Sequence, residues 1–281
     1  MNSRVSRSSN SRVTNDSRKV VVCTETIRSQ CDFADRYGSV HYARRFYCLE
    51  KNVEVRMDDR VALITGASKG LGYAMAMKFA ESGAMVAMIS RNEDEVVEAA
   101  NSVTKATSMR CKGLVCDVSR AADIEETFAQ VVSEFGKVDI LINNAGHAKV
   151  GTIESITDEE WQYDLDLKLM AAVRLSRLAF HGMKERKWGR IINMLNTMAK
   201  TPIAGSAPTS VTRAAGMALT KVLAGEGAPH NILVNGFNIG RIKSDQIQRA
   251  YEHSGSALSF DEFVADAGKS IPLGRFGEAE E

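Results

Sequence analysis

Net charge is nearly absent from this sequence: 36 Lys and Arg face 35 Asp and Glu in 281 residues, a formal +1. The whole chain therefore gives no electrostatic case for binding nucleic acid or an anionic membrane surface. No uncharged apolar run approaches the roughly 18 residues that cross a bilayer, so the expectation is a soluble chain. Cysteine is scarce, with five residues, no Cys-x-x-Cys pair and no histidine at ligand spacing. That speaks against a disulfide framework and a zinc site, and for free thiols in a reducing, cytoplasmic setting. Core-forming residues are not lacking. At 44% hydrophobic and 25% charged the composition excludes wholesale disorder and fibrous folds.

The charge balance conceals an asymmetry. Residues 1–56 carry 11 basic and 6 acidic side chains, which leaves 25 basic and 29 acidic in the remaining 225 residues. The first 19 residues hold six serines, four arginines and one lysine, with Asp16 the only acid. Such a start resembles an organellar transit peptide, which would place the protein in an organelle matrix. It equally fits a disordered or non-native extension, because no stretch there keeps a helical or strand period. Met57-Asp58-Asp59-Arg60 stands directly before a strong apolar run, as a natural start does. The expected organisation is an extension over 1–56 and a single domain over 57–281.

From residue 60, brief apolar runs alternate with amphipathic segments. Val61–Thr65, Met85–Ser90, Met109–Cys116, Asp139–Ile142, Arg190–Leu195 and Ile232–Asn235 read as buried strands. Helices are expected near 71–82, 92–106, 121–135, 158–186 and 208–226. Alternation of this kind predicts right-handed crossovers and an α/β, Rossmann-type doubly wound parallel sheet.

The first strand runs into Thr65-Gly66-Ala67-Ser68-Lys69-Gly70-Leu71-Gly72, with a helix directly after. Glycines at 66, 70 and 72 permit a sharp turn and a close pyrophosphate, which free N–H groups and the macrodipole at a helix start would attract. Tight turns also need glycine, but a position between strand and helix favours the dinucleotide reading. Cofactor choice follows from charge. The second strand ends Ile89-Ser90-Arg91-Asn92, with no acid at its tip to bind ribose hydroxyls. Lys69 and Arg91 are two cations suited to a 2′-phosphate, so NADP(H) is preferred and NAD(H) remains possible.

These residues resemble the short-chain dehydrogenase/reductase family, whose first loop reads TGxxxGxG. The resemblance continues at Cys116-Asp117-Val118, Asn143-Asn144-Ala145-Gly146, Trp188-Gly189-Arg190-Ile191-Ile192-Asn193 and Asn231-Ile232-Leu233-Val234-Asn235. It covers 57–281 and implies that Ser68 and Leu71 belong to the cofactor loop. It also implies that Asp117, beside Val118, contacts adenine, although an Asp there is equally placed to cap the next helix. Asn143, Ala145 and Gly146 would line the cofactor ribose.

The family exchanges hydride between nicotinamide and a carbonyl or alcohol using Asn, Ser, Tyr and Lys. Placed on that pattern, this chain has Lys168 for the Asn, Asn196 for the Ser, Thr209 for the Tyr and Arg213 for the Lys. A threonine hydroxyl is a poor acid, and Arg213 can hold a ribose but not relay a proton. Asn196 and Thr209 are left as substrate contacts. Lys168 is the candidate acid if Arg213 lowers its pKa, or else a structural support. The alternative is a non-catalytic dinucleotide-binding regulatory or assembly partner. His147 could edge the substrate pocket, and residues 241–270 follow no readable code. The family's last helix and strand have no counterpart before Glu281, so an open edge at the sixth strand is expected. Helices 158–186 and 208–226 would pair copies into a homodimer or homotetramer, with a small carbonyl or alcohol as substrate.

Overall fold

The computed structural model describes residues 55–281, so the extension and targeting readings for residues 1–54 lie outside the described residues. Every residue of β1 (Val61–Thr65) is buried, as a strand covered on both faces requires. Alternate side chains go to opposite layers. Val61 and Leu63 join a core with Ile124, Val131, Leu175 and Met183, whereas Ala62 and Ile64 pack with Ala76, Ala80, Val96 and Val103. Each large, fully enclosed side chain contributes about 1.5–3 kcal/mol.

Strand β1 is flanked by β2 (Met85–Ser90) and β4 (Ile140–Asn143), both parallel to it. With β3 (Cys111–Val115), β6 (Gly189–Asn196) and β8 (Ile232–Ile239) the order is β3-β2-β1-β4-β6-β8. The order reverses between β1 and β4, the crevice where open α/β sheets bind ligands. Helices α1 (Gly70–Glu81), α2 (Glu93–Thr107) and α3 (Ala121–Phe135) are the early crossovers. This is the Rossmann-type parallel sheet expected from the alternation.

The expected helix 158–186 is interrupted. It divides into α4 (Asp158–Leu165), a π-helical turn at Asp166–Met170, and α5 (Ala171–Glu185). The wide turn holds Lys168, a buried cation in line with the buried positions Asp164, Ala171 and Ala172 on either side of it. Helix α6 (Thr209–Gly227) follows a two-residue strand, β7 (Ala207–Pro208), paired antiparallel with β5 (Val150–Gly151). Residues 241–270 contain α7 (Asp245–Ser254) and α8 (Phe260–Gly268). The start of α8 was legible after all: Ser259 and Glu262 form a reciprocal capping box. Strand β8 runs four residues past its expected end, and Leu233 and Phe237 on it are exposed. Among the described residues, no helix is long and apolar enough to cross a membrane.

Candidate functional site

The loop between β1 and α1 is shaped by what glycine permits. Gly66 has φ +63°, and a Cβ on Gly72 would stand 2.1 Å from the Gly66 carbonyl oxygen. No larger residue fits position 72. Lys69 ends in extended backbone at the N-cap of α1 and gives no side-chain cap, and the first turn holds no acid. The helix start therefore keeps donors for an anion. Asn144, which the motif reading passed over, ties this loop to the end of β4. Its Nδ2 donates to the carbonyls of Thr65 at 2.9 Å and Gly66 at 3.1 Å. The Thr65 hydroxyl accepts from the N–H groups of Asn144 and Ala145, both at 2.8 Å. The two predicted cofactor segments are thus one hydrogen-bonded unit across the switch point.

At the β2 end the structure adds an acid that the strand tip lacks. Glu95, in the first turn of α2, accepts from Ser68 Oγ at 3.3 Å and lies 3.8 Å from Lys69 Nζ. Ser68 Oγ is also 3.2 Å from Ser90 Oγ. Arg91 is exposed and donates to the Tyr163 hydroxyl on α4 at 3.0 Å. Asp117 does not cap α3. That N-cap is Arg120, and Asp117 instead accepts from Ser119 N at 3.0 Å and Ser119 Oγ at 2.7 Å. Val118 is buried in the core, and Leu71 is half-buried.

The expected catalytic residues converge, around a partner the sequence reading missed. Lys168 forms an ion pair with Asp164, their side chains 1% and 2% exposed. Lys168 Nζ also donates to Thr209 Oγ1 at 2.7 Å, and Thr212 Oγ1 donates to Asp164 Oδ2 at 2.7 Å. Thr209 is fully committed: its hydroxyl donates to Lys149 O at 2.8 Å and accepts from Lys149 N at 2.9 Å besides Lys168. The β5–β7 pairing, Val150 opposite Pro208, brings Lys149 there.

Burial pushes the Lys168 ammonium down to about 8, against the attraction of Asp164. Arg213 lowers it further, as expected, by the smallest contribution. Burial likewise lowers Arg213 to about 10, opposed by Asp164. Arg213 Nη1 donates to Met194 O at 2.7 Å, and a Cβ on Gly146 would meet its Nη2 at 2.7 Å.

Asn143 is buried and donates to Asn193 Oδ1 at 2.8 Å. Among the described residues, Asn143 Oδ1 and Asn196 Oδ1 are buried without a hydrogen-bond partner. A small pocket of about 10 Å³ lined by Asn143, Lys168, Thr212 and Arg213 is near the size of one water. His147, half-buried, packs its ring 6.0 Å from that of Tyr163.

Residues 60–255 match the family model for the short chain dehydrogenase. This chain belongs to the short-chain dehydrogenase family. It is 31% identical over 227 residues to 3-oxoacyl-[acyl-carrier-protein] reductase FabG of Escherichia coli (strain K12), covering 81% of this chain and 88% of that protein. L-sorbose reductase from Gluconobacter frateurii, solved with NADPH and L-sorbose, superposes with a TM-score of 0.76 at 33% identity, covering 81% and 88%. NAD+-bound xylitol dehydrogenase gives 0.72 at 25% identity, covering 79% and 88%. Within this short-chain dehydrogenase no Tyr-x-x-x-Lys occurs in residues 57–281; Tyr47 and Lys51, the one such pair, precede β1.

Proposed function

We propose that this chain is a reductase that binds NADP(H) and exchanges hydride with a small carbonyl or alcohol. The observation that carries the reading is the Gly66–Gly72 cradle, pinned by Asn144 to the end of β4 and open to an anion at the start of α1. A Cβ at Gly70 would meet nothing within 4 Å at the start of α1, and the bare Gly72 lets the loop lie against the helix, so the residues present fit a dinucleotide. When bound, nicotinamide supplies the hydride. The loop and the α1 start hold pyrophosphate, Arg91 and Lys69 face a 2′-phosphate, and Arg213 beside Gly146 supports the ribose. Asn196, at the end of β6, is the group left to orient a carbonyl, by donation from its Nδ2. Lys168 and Thr209 spend their polar atoms on Asp164 and Lys149, so their proposed part is to brace α6 against the π-helical turn. Pairing of copies through α4–α5 and α6 belongs to the same proposal.

That saturation also favours a second reading, a dinucleotide-binding protein without turnover. Both are tested by NADPH oxidation over a panel of aldehydes, ketones and 3-oxoacyl thioesters. Turnover of any one above the no-protein rate supports the reductase. Saturable NADPH binding with no turnover on the whole panel supports the second reading.

A further inference from the structure

The two cations that face the 2′-phosphate position are engaged in chemically different ways. Arg91 rests on Tyr163, a neutral phenol that orients the guanidinium and leaves its charge intact. Lys69 instead faces Glu95, whose carboxylate also accepts from Ser68 in the glycine loop. Glu95 is held there by its backbone: Asn92, the N-cap of α2, accepts from Glu95 N at 3.1 Å. That contact fixes the third residue of the helix, where the macrodipole also favours a negative side chain. Through Ser68 the carboxylate reaches Ser90 at the end of β2, the strand end where dinucleotide folds read the adenosine ribose. The acid missing from the strand tip is supplied from one turn into the next helix.

We propose that Glu95 sets the discrimination between NADPH and NADH, by placing a negative charge against the 2′-phosphate and drawing Lys69 away from it. This rests on the dinucleotide reading above. A 2′-phosphate has to take Lys69 from Glu95 and stand beside a carboxylate, whereas a free 2′-hydroxyl can donate to that carboxylate. Glu95 therefore opposes Arg91, and NADPH selectivity is weaker than two cations alone would give.

The test is Kd for NADPH and for NADH, by titration of the full chain and of Glu95→Gln at low and high salt. Glutamine keeps the side chain's shape and the backbone bond to Asn92, so folding is retained. The proposal expects NADPH binding to tighten by about threefold or more, the size of one partly screened charge. NADH binding should stay within about twofold or weaken. The NADPH gain should shrink at high salt, which a change in helix stability alone would not produce. Unchanged or weaker NADPH binding in Glu95→Gln, with wild type binding both dinucleotides, overturns this proposal and leaves the dinucleotide reading intact. Wild type binding neither dinucleotide overturns both.

Discussion

Lys168 and Asp164 stand one turn apart where α4 gives way to the π-helical turn, and both side chains are almost wholly enclosed. Thr212 and Thr209 of α6 complete the pair, so four polar side chains join two helical segments through one buried ion pair. A buried pair is costly to break from one side, because the remaining charge has no solvent. Lys168→Met should therefore destabilise the fold by about 3–5 kcal/mol. Adding Asp164→Leu should recover most of that loss. Urea denaturation midpoints check this. A Lys168→Met variant that unfolds like wild type but loses turnover would make Lys168 a working acid instead of a brace.

The glycine loop allows a contrast between two positions. Alanine at Gly72 puts Cβ 2.1 Å from backbone, so the loop must move and dinucleotide binding should be lost. Alanine at Gly70 meets nothing within 4 Å, and its cost is the strain of φ +57°, about 1–2 kcal/mol. Titration with NADPH should find binding retained in Gly70→Ala and absent in Gly72→Ala. The same affinity for both would contradict the cradle.

Much of this was legible beforehand, and the reasons differ by element. The parallel sheet was readable because buried strands such as Val61–Thr65 are short, apolar up to their last residue and set off by polar turns. The glycine loop was readable because only one residue type fits positions 66 and 72. Glu95 and Tyr163 were not, since their roles depend on partners across the fold, whereas the i,i+4 spacing of Asp164 and Lys168 was there to be read. Arg91 and Tyr163 are 72 residues apart. Lys168 lies on a readable face, with Asp164, Leu167, Ala171, Ala172 and Leu175 buried at helical spacing around it, but nothing in the sequence marks Asp166–Met170 as a π-helical turn. The pKa of Lys168 was expected to fall through charge repulsion. Burial is the larger cause.

His147 gives a pH dependence with a definite sign. Burial holds its imidazole below the ordinary 6.5, and the charges of Lys168 and Arg91 push the same way. Its folded pKa is thus lower than its unfolded one, so the unfolded chain binds the proton more readily as pH falls. The stability this group contributes is present above 6.5 and is lost as pH falls through the lowered folded value. Thermal midpoints followed from about pH 7 to about pH 5 should drop further in wild type than in His147→Gln. An equal or steeper drop in the variant would show that His147 charges freely in the folded protein.

The central claim is a dinucleotide site with cations turned to a 2′-phosphate, and calorimetric titration of wild type and Arg91→Asp with NADPH and NADH tests it most directly. The account predicts saturable binding of NADPH by wild type. It also predicts at least a tenfold loss for NADPH in Arg91→Asp, about 1.4 kcal/mol, with NADH unchanged or improved. Equal losses for both dinucleotides, or no binding of either by wild type, would contradict it.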